Sequence, residues 1–142
     1  ELANPGDRPF LEPQMAALET LLAGLLARWA IPPERVVGHA CVAPERKADP
    51  GPRFDWRRLA RQGLAVSEAA PRVSGRAEAG AFQRAARRFG CHCPESGVWD
   101  EGTDAVARAL RDRFRPWDRD PRSASGLAQL EALAARWPVR RG

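Results

Sequence analysis

The stretch His39-Ala40-Cys41-Val42-Ala43-Pro44-Glu45-Arg46-Lys47-Ala48-Asp49-Pro50-Gly51 decides how this chain is read. A catalytic zinc takes three protein donors, commonly His, Asp, Glu or Cys, and keeps one position open for water. Here a His and an Asp bracket a loop punctuated by Pro44, Pro50 and Gly51. Asp49 precedes Pro50, which biases it towards extended backbone, and Gly51 lets the chain turn away. The loop can therefore bring Asp49 back beside His39. Lys47 lies two residues before Asp49, so in an extended segment both side chains leave the same face. A cation there can hydrogen-bond the oxyanion that forms when an amide carbonyl is attacked. Spacing alone leaves a surface loop with an ordinary His as an equal alternative.

Composition sets the background for this segment. The chain has 142 residues, enough for one medium domain or two small ones, and 44% of them are hydrophobic. Of its 23 basic residues only Lys47 is a lysine, and the formal charge is +5. Such a charge suits an anionic partner. The arginines fall in scattered pairs (Arg57-Arg58, Arg87-Arg88, Arg140-Arg141) without interleaved aromatics, so no nucleic-acid partner is expected. The longest apolar run, Leu21 to Leu26, is too short to span a bilayer and contains Gly24, so no transmembrane segment is expected. Three cysteines leave at least one unpaired and assign no compartment. The chain opens at Glu1 rather than Met, so a processed start or a piece of a longer protein is expected.

Outward from the segment, the pattern is helical. Met15, Leu18, Leu22, Leu25, Leu26 and Trp29 recur at helical spacing after Pro13, and Pro32-Pro33 ends the run. Short strands are expected at Glu1–Ala3 and at Arg35–Gly38, the latter delivering His39 at its C-terminal end. A second helix starts near Phe54, with Asp55 as its N-cap, and stops at Gly63. Residues 67–78 lack periodicity and read as a linker. Three further helices follow: Ala79–Phe89, Glu101–Phe114 and Ala124–Trp137. Cys91-His92-Cys93 falls in the first connector, where a three-residue run cannot place all three side chains on one ion; it reads as a turn of incidental residues.

Gly38-His39-X-X-Val-Ala-Pro-X-Arg-Lys47-X-Asp49-Pro-Gly-Pro-X-Phe-Asp-Trp56 resembles the C-terminal signature of the type 2 N-acetylmuramoyl-L-alanine amidases. The resemblance implies zinc-dependent hydrolysis of the amide between N-acetylmuramic acid and L-alanine in peptidoglycan. It implies His39 and Asp49 as two zinc ligands, Lys47 as the residue that stabilises the oxyanion, and Glu1 as general base. The family's third ligand, a His on a strand upstream of the glutamate, has no counterpart in this sequence. The implied fold is the C-terminal part of an α/β amidase domain over residues 1–66, mostly helical with short strands. Phe82 to Gly90 followed by Gly97 to Val106 resembles, over roughly residues 77–116, a small all-α three-helix peptidoglycan-binding module, so 79–142 is expected to be that module behind the 67–78 linker. Implied partners are peptidoglycan and the missing N-terminal half of the amidase domain, or another chain replacing it. The implied location is the periplasm or cell envelope, with the cytoplasm as alternative. A non-catalytic binding or assembly module that keeps an amidase-like scaffold is the rival reading.

Overall fold

Between the turn at Asn4–Gly6 and Pro32-Pro33, eighteen residues form one helix. In the computed structural model, which describes residues 2–139, this is α1 (Glu12–Trp29). Pro13 sits in its first turn, where a missing N–H costs nothing. The Gln14 side chain accepts from the Leu11 N–H at 3.2 Å and donates to the Ala3 carbonyl at 2.9 Å, tying the incoming chain to the helix start. Two short helices follow, α2 (His39–Val42) and α3 (Trp56–Arg61). Asp55 caps α3 by accepting from the Arg58 N–H at 2.9 Å. Met15, Phe54, Trp56, Leu59, Leu64 and Ala65 make the core of this part, with Phe10 and Phe54 stacked edge to face at 5.1 Å. Arg58 of α3 reaches across to Glu12 and Glu19 of α1, which fixes the two helices' register.

The remaining helices are α4 (Ala79–Phe89), α5 (Glu101–Phe114) and α6 (Ala124–Arg136). Each start is capped by a side chain: Glu78 for α4, Asp100 for α5 and Ser123 for α6. Phe82, Ala86, Val106, Leu110, Phe114, Leu130 and Leu133 close a second core, which Val66 also enters. Residues 67–78 carry no helix and lie along α6. Gln129 donates to the Glu68 carbonyl at 2.6 Å, the Ser125 hydroxyl bonds the Val73 backbone, and Arg76 bridges Ser123.

The fold departs from expectation in its strands. No strand forms among the described residues. Of the expected strand at Glu1–Ala3, Glu1 lies outside the described residues, and the Ala3 carbonyl goes to the Gln14 side chain. At Arg35–Gly38, Pro33–Arg35 instead forms a 3-10 turn, while Val36 and Gly38 keep extended backbone. An extended segment becomes a strand only when a neighbour completes the ladder. Here the Val36 carbonyl accepts from the Arg113 side chain and the Gly38 carbonyl from the Cys41 N–H.

Leu133 is 1% exposed at the centre of the second core. Leu133→Ala is expected to lower stability by about 2–5 kcal/mol in urea titration.

Candidate functional site

The segment from Gly38 to Gly51 folds back on itself by backbone bonds. The Ala43 N–H donates to the His39 carbonyl at 2.8 Å, and the Arg46 and Lys47 N–H groups both donate to the Ala43 carbonyl. The Ala40 N–H then reaches the Asp49 carbonyl at 2.9 Å, which closes the loop at its two ends. Sequence spacing anticipated this return, but not that His39 begins a helical turn rather than ending a strand.

Two glycines make the closure sterically feasible. A Cβ at Gly38 would stand 2.4 Å from Pro50 Cδ and 3.3 Å from the Asp49 carbonyl oxygen, so only a bare backbone fits there. Gly51 has φ +77°, and a Cβ on it would come 3.2 Å from the Gly6 carbonyl. The N-terminal turn, in which Asn4 Oδ1 accepts from the Gly6 N–H at 2.7 Å, therefore lies against the end of the loop.

Closure brings the expected pair together. His39 Nδ1 and Asp49 Oδ2 are 2.5 Å apart, and both side chains are largely open to solvent at 71% and 58% exposure. One imidazole and one carboxylate suit a borderline ion such as zinc and amount to two of the three protein donors of a catalytic site. No third His, Cys, Asp or Glu joins them among the described residues. Lys47 is exposed on the same loop and forms no ion pair among the described residues. Glu1 lies outside the described residues.

One residue of this neighbourhood gives no sequence signal. Arg113 comes from α5, 77 positions after Val36, and is one of many arginines. It is 4% exposed. Its guanidinium donates to the Val36 carbonyl at 2.9 Å, lies 3.7 Å from the Cys41 sulfur, and packs over Trp56 at 4.6 Å and Phe114 at 4.8 Å. Val36 and Cys41 flank His39, so a helix of the second core holds the segment that presents the imidazole.

The Cys-His-Cys turn forms no three-donor group among the described residues. Cys93 is buried in the second core, and burial pushes its thiol up to about 11. Burial, with Cys41 nearby, pushes Cys91 up to about 12.

Comparison with known proteins locates the resemblance. The family model described as N-acetylmuramoyl-L-alanine amidase matches residues 1–52. The N-acetylmuramoyl-L-alanine amidase AmiD of Escherichia coli is 48% identical over 66 residues, which are 46% of this chain and 24% of that protein. The 1,6-anhydro-N-acetylmuramyl-L-alanine amidase AmpD of Enterobacter cloacae is 38% identical over 59 residues, 42% of this chain and 32% of its own length. The chain thus spans a third or less of the curated relatives it matches.

In solved structures the likeness runs further. The E. coli AmiD complex with anhydro-N-acetylmuramic acid-L-Ala-D-gamma-Glu-L-Lys superposes with a TM-score of 0.80 at 31% identity, covering 91% of this chain and 54% of that one. AmpDh3 of Pseudomonas aeruginosa gives a TM-score of 0.76 at 26% identity, covering 91% and 55%.

The closure predicts a specific sensitivity. Gly38→Ala forces Pro50 to move and is expected to cost about 1–3 kcal/mol, as overpacking does. It should also separate Asp49 from His39, read as loss of the hydrogen-bonded imidazole signature of His39 in nitrogen NMR. An unchanged signature would show that the loop does not depend on this contact.

By sequence over its first 52 residues and by fold over nine-tenths of its length, the chain is similar to N-acetylmuramoyl-L-alanine amidases.

Proposed function

We propose that this chain carries the C-terminal part of a cell-wall amidase that hydrolyses the amide between N-acetylmuramic acid and L-alanine in peptidoglycan. The observation that supports this best is the approach of His39 to Asp49, 2.5 Å apart, inside the segment matched by the amidase family model. Residues 1–66 are then amidase, 67–78 a connector and 79–142 a peptidoglycan-binding module. Peptidoglycan is the partner, and the periplasm or cell envelope the place of action.

His39 and Asp49 would hold a zinc ion, with a third donor from outside the described residues. Bound there, zinc supplies Lewis acidity at the scissile amide. Lys47 donates a hydrogen bond to the oxygen on which negative charge develops. Its exposed ammonium and its place on the closed loop suit that role. Glu1 takes the proton as general base, by resemblance to the family's catalytic glutamate.

α1 supports the idea that more of the amidase fold packs here. Leu21, Leu25 and Trp29 are exposed along it at 58%, 38% and 65% and, at i, i+4 and i+8, share one side of the helix. We read it as the face covered by the remaining half of the amidase domain, in the same protein or in another chain.

The rival reading, a binding module with a retained scaffold, draws on one observation: His39 and Asp49 satisfy each other directly. Activity and metal separate the two. Incubated with purified peptidoglycan, the natural gene product is expected to release peptides with a free L-alanine amino group. Lys47→Ala should lower that rate about a hundredfold while zinc content is unchanged. Parallel loss of zinc and activity would contradict the role given to Lys47, and no release by the wild type would favour the rival.

A further inference from the structure

A basic groove on the second core has no part in the reading above. Arg84, Arg87 and Arg88 stand at i, i+3 and i+4 on α4, so all three leave one side of the helix. With Glu95 and Val139 they line an open depression of about 470 Å³. Like charges so spaced cost a helix a few tenths of a kcal/mol per pair unless an anion offsets them.

The acidic groups nearby are already engaged. Glu78 caps α4, accepting from Gly80 N–H at 2.9 Å and Ala81 N–H at 2.7 Å; those bonds, with a smaller contribution from Arg84, hold its carboxyl below the usual range. Glu95 pairs with Arg87 at 2.6 Å, and Arg87 also donates to the Cys93 carbonyl at 2.9 Å, which holds its guanidinium in place. Neither Arg84 nor Arg88 forms an ion pair among the described residues, and both are exposed. The Arg88 carbonyl accepts from Val139 N–H at 2.8 Å, so the chain after α6 forms one wall.

We propose that this groove binds free carboxylates of peptidoglycan stem peptides through the Arg84 and Arg88 forks. The proposal rests on the wall-binding reading of 79–142 and adds the site and the chemical group it recognises. Guanidinium forks match carboxylates bidentately. The open shape suits an extended polymer rather than an enclosed small molecule. The lining holds no aromatic ring on which a base could stack, which separates the groove from a single-stranded nucleic-acid channel.

The test is retention on purified sacculi at low salt. Arg84→Gln/Arg88→Gln should bind about three- to tenfold more weakly than wild type, the size expected for two exposed pairs. Arg53→Gln/Arg61→Gln, which removes the same charge elsewhere, should bind as wild type does. Amidating the stem carboxylates should reduce wild-type retention to the level of the groove variant. Equal retention of groove variant and wild type, or undiminished binding to amidated sacculi, overturns the groove while leaving the wall-binding module intact. Failure of wild type to bind sacculi at all overturns the module reading and the groove with it. Stronger groove-dependent binding to a phosphate polymer or to DNA than to sacculi also overturns it. Circular dichroism confirms that the exposed substitutions leave the fold unchanged.

Discussion

The buried guanidinium of Arg113 ties the two halves of this molecule together. Desolvating a cation costs on the order of several kcal/mol unless bonds replace its water. Among the described residues no carboxylate does so. The Val36 carbonyl takes one bond, the faces of Trp56 and Phe114 flank the charge, and Nε has no hydrogen-bond partner among the described residues. Trp56 belongs to the first core and Phe114 to the second. Arg57 of α3 over Trp117 at 4.0 Å repeats the pattern at the surface. The cores thus meet through cation–aromatic contacts, which depend on ring orientation as simple apolar burial does not.

That constraint carries through to the site. Val36 and Cys41 bracket His39, and both touch Arg113. On the other side, the Ala40–Asp49 backbone bond and the bare Cα of Gly38 against Pro50 hold the return of the loop. His39 and Asp49 are therefore positioned by contacts behind them while their side chains stay open to solvent. The proposed ligand role would use that combination of a fixed backbone and solvent-accessible side chains. The later helices thus contribute to the geometry of the His39–Asp49 segment, which fits the extent of the structural likeness to AmiD and AmpDh3.

Much of this was legible in the chain. Proline, N-cap residues and apolar spacing placed α1, α3, α4, α5 and α6 to within a residue or two, because each signal acts within its own helix. Asp49-Pro50-Gly51 announced the loop's return, and the return is there. The misreadings share a cause, which is that they concern partners distant in sequence. Arg35–Gly38 has strand-forming residues, but its carbonyls go to Arg113 and Cys41 rather than to a neighbouring strand. His39 consequently opens α2. Arg113 was invisible because one arginine among 22 carries no local mark of burial. The exposed face of α1 was hidden for the opposite reason: its leucines repeat as a core helix's do, yet only one side meets the described core.

In the proposed function His39 and Asp49 act together as metal donors. Zinc content of the natural gene product, measured by plasma mass spectrometry beside His39→Ala and Asp49→Ala, tests it most directly. One zinc per chain in the wild type, lost in each variant with helical content preserved, is the result the account predicts. Full retention of zinc in both variants would place the metal elsewhere and contradict it.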